Sequence, residues 1–251
     1  MSAASTLHIR LIRHLRKWHR KLGILAAFFL IFLSVTGIAL NHTDELTLAH
    51  HPVKNEWLLN HYGIKPPTDI RFYHQNNLLV TNNLAWLDKQ LLLESDEPII
   101  TMGLFNDIIF IITENIIYLY NEQGQLIDQL DSSMGIPQNI SHVSISNSYL
   151  LVKTPQGYFQ TDADFFDWQV INTLIEPEWL THSEVSLTEK SAAIIKYKSQ
   201  YLNWERIILD THSGRFFGYI GVLFMDMVGI LLILLSLSGI YIWIRYSRAK
   251  R

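Results

Sequence analysis

The sequence predicts a membrane protein in which two transmembrane α-helices flank a β-rich domain outside the membrane. Two apolar runs, 22–40 and 219–244, are long enough as helices to cross a hydrocarbon layer of about 30 Å. Between them, short β-branched and aromatic runs alternate with Asn, Asp and Gly turns, a pattern typical of antiparallel hairpins. The composition, 49% hydrophobic and 17% charged over 251 residues, excludes a disordered chain.

The charges predict the orientation of the chain. Ten of the 20 basic residues lie at the two ends, which contain no acid, whereas 22 of the 23 acids lie in the middle, whose formal charge is -12. Because Lys and Arg near short flanks stay cytoplasmic, both termini are expected inside and the middle outside, in the periplasm if the membrane is a bacterial inner membrane. This acidity opposes nucleic-acid binding. The expected segments are a basic cytoplasmic N-terminal segment 1–21, a span 22–40, a β-rich periplasmic domain 41–218, a span 219–244 and a cytoplasmic tail 245–251.

The first span has a second interpretation, a cleaved signal peptide. Its apolar run exceeds the usual 7 to 15 residues of such peptides, and no A-x-A-like site follows Leu40, so a retained anchor is favoured. The basic helix before it can lie on the anionic inner leaflet or can serve only as a topology signal.

The middle domain predicts blade-like meanders, because strand–turn units recur at a spacing of roughly 40 residues around Ile109, Leu150 and Ile194. A helical piece is expected near 176–180. The domain contains no nucleotide-binding glycine loop, no nucleophile elbow and no H-E-x-x-H motif.

Histidines carry the main chemical prediction. The chain has eleven histidines and no cysteine, which excludes disulfides, thiolate zinc sites and iron–sulfur clusters, so electron chemistry would need a bound cofactor. His19 lies at the inner end of the first span, and His42 and His212 lie at the outer ends of the two spans. Imidazoles are the usual axial ligands of b-type haem, so His42 and His212 are expected to form a pair. The alternative is that each is an interfacial polar residue.

Two near copies, LSVTGI at 33–38 and LSLSGI at 235–240, place a small-residue notch at each membrane face. Such a notch allows close helix packing or a flat macrocycle against the backbone. With haem, Gly37 would face an outer haem near His42 and His212, and Gly239 an inner haem near His19. The inner site would need His19 from two protomers.

Acidic residues supply two further candidates. Asp226 lies inside the second span, where an ionised acid is costly, so it can relay protons, hold a cationic partner or reach water at the interface. After the first span, a mixed nitrogen and oxygen set suits iron or zinc, although flexible loops of this composition often bind nothing tightly. This candidate metal set is His42, Asp44, Glu45, His50 and His51.

Both ends of the chain contain short motifs: W-H-R-K-L-G entering the first span, T-G-x-x-L-N-H leaving it, D-x-H-S-G-R-F before the second, an acid inside it and S-G-x-x-x-W at its end. They lie within 13–42 and 205–245, about 70 of the 251 residues. With these motifs, the two ends resemble the PepSY-associated transmembrane family. Larger members resemble inner-membrane reductases of iron and siderophore uptake with four spans and bis-histidine haems. The size and two spans of this chain resemble the small VciB-type members.

The resemblance implies a function. It implies an inner-membrane reductase of ferric iron or a ferric siderophore, with haem b held by His19, His42 and His212 and with iron as substrate. The expected partners are a second copy of the chain, a quinol or cytoplasmic electron donor, and a ferrous iron transporter downstream. The alternatives are a membrane-anchored periplasmic binding module and a regulatory subunit of a transporter or sensor, neither with redox activity.

Overall fold

The computed structural model describes residues 3–73, 77–146, 148–162, 164–172 and 176–249. The chain divides into two compact units. The helical unit contains Met1–Leu59 and Ser199–Arg251, and the β unit contains Asn60–Lys198. The expected fold class, two long apolar helices flanking a β-rich domain, is confirmed. The segments 41–59 and 199–218, expected in the external domain, belong to the same compact unit as the long helices.

The helical unit is built on two long helices, α1 (Ala3–Asn41) and α5 (Gly218–Ala249). Each contains a stretch long and apolar enough to cross a membrane, Arg16–Asn41 in α1 and a stretch running through α5 to Arg245. Only 6% and 11% of these stretches are buried inside the protein, far less than in the core helix of a soluble domain. Their apolar surfaces are therefore available to lipid.

Aromatic and small residues join the two long helices. The Phe29 ring of α1 meets the Phe224 ring of α5 edge to face, with centroids 5.4 Å apart. Ala26 of α1 and Val228 of α5 are 2% and 4% exposed.

The short helix α4 (Trp204–His212) leads into α5 through a 3-10 turn, Arg215–Phe217. The remaining short helices are α2 (Glu56–His61) and α3 (Leu187–Ser199).

The β unit contains three four-stranded antiparallel meanders. The first comprises β1 (Ile70–Tyr73), β2 (Leu78–Thr81), β3 (Leu84–Leu87) and β4 (Gln90–Glu94). The second comprises β5 (Thr101–Phe105), β6 (Ile108–Ile112), β7 (Ile117–Tyr120) and β8 (Leu126–Leu130). The third comprises β9 (His142–Ile145), β10 (Leu150–Thr154), β11 (Gly157–Thr161) and β12 (Gln169–Ile171). Tight turns with Asn82 and Asn106 at positive φ connect neighbouring strands, as asparagine permits.

The blade-like repeat was correctly placed in two of its three positions. Ile109 lies in β6 and Leu150 in β10, whereas Ile194 lies in α3 and the remaining meander, β1–β4, precedes the other two. A capping box begins α3: the Ser186 backbone N–H donates to Glu189 Oε2 at 2.9 Å, and the Glu189 N–H donates to Ser186 Oγ at 3.2 Å. The capping box stabilises the start of α3, in a segment where the apolar run around Ile194 predicts a strand.

The helical piece expected near 176–180 is wrong, because this segment forms no helix. The Leu180 N–H donates to the Val143 carbonyl of β9 at 2.7 Å, and the Ser183 N–H donates to the Phe72 carbonyl of β1 at 2.8 Å. The Leu180 side chain also packs beside Gly103 of β5. The segment therefore contacts the first strand of every meander, and these long-range bonds outweigh its local helical preference.

Candidate histidine sites

His212, the last residue of α4, packs against α1. Its Nδ1 lies 2.7 Å from the Thr36 hydroxyl oxygen. Its Cε1 would lie 3.7 Å from a Cβ placed on Gly37. The imidazole therefore packs directly on the backbone of α1 at Gly37. We call His212, Thr36 and Gly37 the His212 site.

His19 of α1 packs against α5 in the same manner. Its Nδ1 lies 2.9 Å from the Ser238 hydroxyl oxygen. Its Cε1 would lie 3.3 Å from a Cβ on Gly239. We call His19, Ser238 and Gly239 the His19 site. In both sites, a hydroxyl residue followed by glycine on one helix contacts the histidine of another helix.

The hydrogen bonds assign the same tautomer to both histidines. The Thr36 hydroxyl donates its one proton to the Phe32 carbonyl at 2.8 Å, and the Ser238 hydroxyl donates to the Leu235 carbonyl at 3.0 Å. With the hydroxyl proton on the carbonyl, each oxygen accepts from the histidine Nδ1–H. The Nε2 of each ring carries the lone pair, and within the described residues it has no hydrogen-bond partner. A ring fixed through Nδ1 with a free Nε2 is the usual state of a histidine metal ligand.

A buried carboxylate fixes the turn that carries His212. Asp210, whose side chain is 4% exposed, accepts from Arg206 Nε at 2.7 Å and from Arg215 Nε at 3.0 Å. The two arginines lie on either side of the His212 turn, so one carboxylate ties α4 to the segment entering α5. Charge-assisted bonds of this kind are stronger than neutral ones. Sequence reasoning missed Asp210, although its place in the D-x-H-S-G-R motif was a signal.

Two glycines permit the chain reversal after His212. Gly214 has φ +79°, a conformation that favours glycine, and a Cβ on it would collide with the Gly221 carbonyl. A Cβ on Gly221 would collide with the Gly214 carbonyl. The backbones of the turn and of α5 thus touch directly.

His42 lies at the end of α1, on a different side of that helix from Gly37. It continues the last turn of α1, with its N–H 3.2 Å from the Ile38 carbonyl. It lies five residues past Gly37, so a regular helix turns it roughly 140° away from that glycine. Its Nδ1 lies 3.6 Å from Glu45 Oε1. In the described part of the chain the two imidazoles form no hydrogen bond or ring contact, and only His212 occupies the notch at Gly37.

The candidate metal set after α1 is not gathered into one ligand group. His51 Nδ1 lies 2.8 Å from the Thr47 carbonyl oxygen, whereas His42 Nδ1 lies 3.6 Å from Glu45 Oε1. His50 ends a 3-10 turn, Leu48–His50, and Asp44 is exposed. Among the residues that the structure describes, no three His, Asp or Glu side chains are grouped closely enough to hold a metal ion.

Asp226 lies apart from both histidine sites. Its side chain is exposed on α5. At about 100° per residue it points away from Val228, Phe224 and Gly239, which face α1. Asp226 forms no hydrogen bond or ion pair in the described structure.

An apolar cavity of about 360 Å³ lies beside the His212 turn. Five phenylalanines and Met225 form most of its wall, and Thr211 and Gly214 bring it next to His212. Sequence reasoning missed this cavity, although the Phe pair at 28–29 was visible. The phenylalanines are Phe28, Phe29, Phe32, Phe217 and Phe224.

The β unit has a separate cavity of about 580 Å³ beside α3. Lys196 lines it, with Nζ 4.4 Å from the centre of the Trp86 ring and bonded to the Asp88 carbonyl. Burial lowers the pKa of Lys196 to about 8. Sequence reasoning also missed this lysine, because Trp86 is distant in the chain.

Comparison with known proteins gives one extensive match. The family model described as the PepSY-associated TM region matches residues 10–248. No curated protein matches the chain. Among solved structures, the WD40 domain of Neurospora crassa Pan2 is 16% identical with a TM-score of 0.30, covering 49% of this chain and 40% of that one. The N-terminal domain of Nup159 is 12% identical with a TM-score of 0.28, covering 49% and 32%. The chain thus spans less than half of either structure.

Proposed function

The chain belongs to the PepSY-associated TM family, and from this premise we propose that it is a ferric reductase of the bacterial inner membrane that supports ferrous iron uptake. It is a membrane protein, with two helices able to span the bilayer. In the proposal, both termini are cytoplasmic and the β unit lies in the periplasm. The substrate is Fe(III), free or held by a siderophore, which gains one electron to become Fe(II).

The observation that carries the proposal is the common build of the two histidine sites. His212 and His19 lie near opposite ends of the paired helices, each fixed through Nδ1 by a hydroxyl and packed on a glycine. Two such imidazoles at opposite faces of a membrane suit an electron path across it. A polar residue that merely met the interface would need neither the glycine nor the fixed tautomer.

His212 and His19 would each hold a b-type haem through the imidazole Nε2. Within the described residues each Nε2 has no hydrogen-bond partner, and each glycine leaves room for the imidazole ring of the neighbouring helix. Haem would supply a one-electron carrier at each membrane face. Within one chain, one imidazole per site packs on a glycine, and the second imidazole of a bis-histidine haem would come from His42 at the outer site, from another copy or from another protein.

The chain's own residues have defined tasks in this proposal. Thr36 and Ser238 keep the Nδ1 proton in place, so that Nε2 stays available. Asp210 holds the turn that carries His212. The phenylalanines beside His212 exclude water, and the charge of -12 over 41–218 attracts ferric ions. The electron donor is a quinol, which releases two electrons and two protons, or a cytoplasmic reductant.

Histidine variants test the proposal. Ferric reduction is measured in membrane vesicles that hold equal amounts of wild type, His212→Ala, His19→Ala and, as a matched control, His182→Ala, an exposed histidine of the β unit. Reduction is expected to fall at least about tenfold in the first two variants and to stay unchanged in the control. Equal reduction in all four samples would contradict the proposal.

A second candidate function is a membrane-anchored binding module without redox activity. The cavity of about 580 Å³ in the β unit, with the partly buried Lys196, favours it. Under this candidate, Lys196→Met abolishes the function of the protein in iron uptake, whereas His212→Ala leaves it intact. The reductase proposal expects the reverse order of effects.

A further inference from the structure

An exposed group of aromatic side chains lies at the start of α5. Trp57 of α2 meets the Phe216 ring with centroids 6.2 Å apart, and the Phe216 and Phe217 rings are 5.2 Å apart. Tyr219 follows in the first turn of α5. Trp57, Phe217 and Tyr219 are 64%, 73% and 76% exposed. We call these four residues, which come from two distant parts of the chain, the aromatic surface.

The segment around Trp57 is held in place by the rest of the helical unit. The Val53 N–H donates to the Leu202 carbonyl, just before α4, at 2.8 Å. Val53 and Leu59, on either side of Trp57 in the chain, are both 0% exposed. The fold therefore buries the apolar neighbours of Trp57 and leaves its indole on the outside.

The aromatic surface continues the membrane-facing surface of α5. The apolar stretch that can cross a membrane begins at Arg215, so it contains the aromatic residues of 216–219. The next residue, Ile220, is 79% exposed. A bilayer that surrounds this end of α5 therefore also reaches the Trp57 ring, because that ring lies beside Phe216.

The composition of the surface suits the boundary between a bilayer and water. Tryptophan and tyrosine are enriched at this boundary, because each ring is apolar and carries one polar group. The Arg215 side chain, 50% exposed, directly precedes Phe216, and a guanidinium in this place can contact lipid phosphates. A contiguous exposed apolar surface marks a site of interaction, and its continuity with the span identifies the partner as lipid.

We infer that the aromatic surface lies in the headgroup layer of the bilayer and that Trp57 anchors α2 there. The partner is phospholipid: the rings contact the upper acyl chains, and Arg215 contacts the phosphates. Because Asp210 of α4 binds Arg215 at 3.0 Å, this anchor also fixes the depth of the turn that carries His212. The sequence alone places residue 57 in the external domain, away from the membrane.

Spin labels test this depth, because the chain has no cysteine to remove. Single-cysteine variants of the full chain carry a nitroxide in liposomes of phosphatidylethanolamine and phosphatidylglycerol. Collisions with oxygen, which concentrates in lipid, are compared with collisions with a water-soluble nickel chelate. Labels at Trp57→Cys and Phe217→Cys are expected about 5–10 Å below the phosphates. The label at Val170→Cys, a position 66% exposed on β12, is the matched control and is expected in water.

Two results would overturn the inference. One is a label at Trp57→Cys that meets the nickel chelate as often as the label at Val170→Cys does. The other is a label at Trp57→Cys that is shielded from both reagents, because protein would then cover the surface.

A second set of variants keeps the native indole in place. The label is moved to Glu56→Cys, beside Trp57 in α2. In this background, Trp57→Ser is expected to raise collisions with the nickel chelate at least about twofold, whereas Trp57→Phe changes them less, because an apolar ring still favours the interface. Unchanged collisions in the Trp57→Ser variant would show that the ring does not anchor α2.

The inference does not depend on the proposed reductase. Labels in water on a protein that reduces ferric iron would overturn the lipid contact and leave the reductase intact. Labels in lipid on a protein whose histidine variants reduce iron normally would do the opposite.

Discussion

The two histidine sites share one local design but receive different support from the rest of the chain. The His212 site is held by a short helix, the Asp210 carboxylate with two arginines, and the contact of Gly214 with Gly221. The His19 site depends on the packing of two long helices and on Ser238 alone in the described structure. The first is fixed by a dedicated turn, whereas the second follows the position of α1 against α5. Substitutions should therefore separate them.

The largest effect is expected from Gly214→Ala, which breaks the His212 site only. The new Cβ would collide with the Gly221 carbonyl, and the positive φ would be strained, so the helical unit should lose about 3 kcal/mol or more of stability. The yield and melting temperature of the purified protein measure this loss. Gly23→Ala, where nothing lies within 4 Å, is the control and should be neutral or slightly stabilising. Equal behaviour of the two variants would show that the glycine contact is not needed.

Asp210→Asn is expected to have the next largest effect, again at the His212 site alone. It removes a buried charge between two arginines whose side chains are 58% and 50% exposed. Because that exposure screens the pairs, the expected cost is about 1–3 kcal/mol of stability. Chemical denaturation measures it, with Glu205→Gln in the first turn of α4 as the control. If the substitution changed only the NMR signals of His19, Asp210 would not be the residue that holds the His212 turn.

Alanine at the two notch glycines should sharpen the comparison. A Cβ at Gly239 would lie 3.3 Å from His19 Cε1, tighter than ordinary contact, whereas a Cβ at Gly37 would lie 3.7 Å from His212 Cε1. Gly239→Ala is therefore expected to displace the His19 ring at a cost of about 1 kcal/mol, and Gly37→Ala to leave His212 in place. Imidazole chemical shifts in labelled protein report each ring. Displacement of His212 but not His19 would reverse the prediction.

The smallest effect is expected from removing the hydroxyls. Thr36→Val and Ser238→Ala each remove one acceptor, at a cost of about 1 kcal/mol. Each should release the Nδ1–H tautomer of its own histidine and leave the other unchanged. Nitrogen chemical shifts of the imidazoles measure the tautomers. A ring that keeps its tautomer without the hydroxyl would show that another group fixes it.

The local features of these sites can be predicted from the sequence, but their long-range contacts cannot. The repeated small-residue notch at Gly37 and Gly239 can be predicted, because small residues near a helix end form a short sequence pattern. That Thr36 and Ser238 accept from the histidines depends on how distant helices pack, 176 residues apart for Thr36 and His212. The rotation of His42 away from the notch follows from helix geometry and could have been predicted.

The β unit shows the same division. Turn residues and strand alternation predict meanders, since hairpins are local. Local patterns predict a helix at 176–180, whereas Leu180 hydrogen-bonds to β9 and Ser183, three residues on, to β1. The start of α3 was in principle legible, because Ser186 and Glu189 form a capping box within four residues.

The central claim is that His212 and His19 hold a redox group through their free Nε2 atoms. The most direct test is the absorption spectrum of the detergent-solubilised protein, oxidised and then reduced with dithionite. The account predicts a Soret band that shifts on reduction, is weakened in His212→Ala and in His19→Ala, and is unchanged in His182→Ala. A wild-type protein purified from haem-replete cells without any Soret band would contradict it.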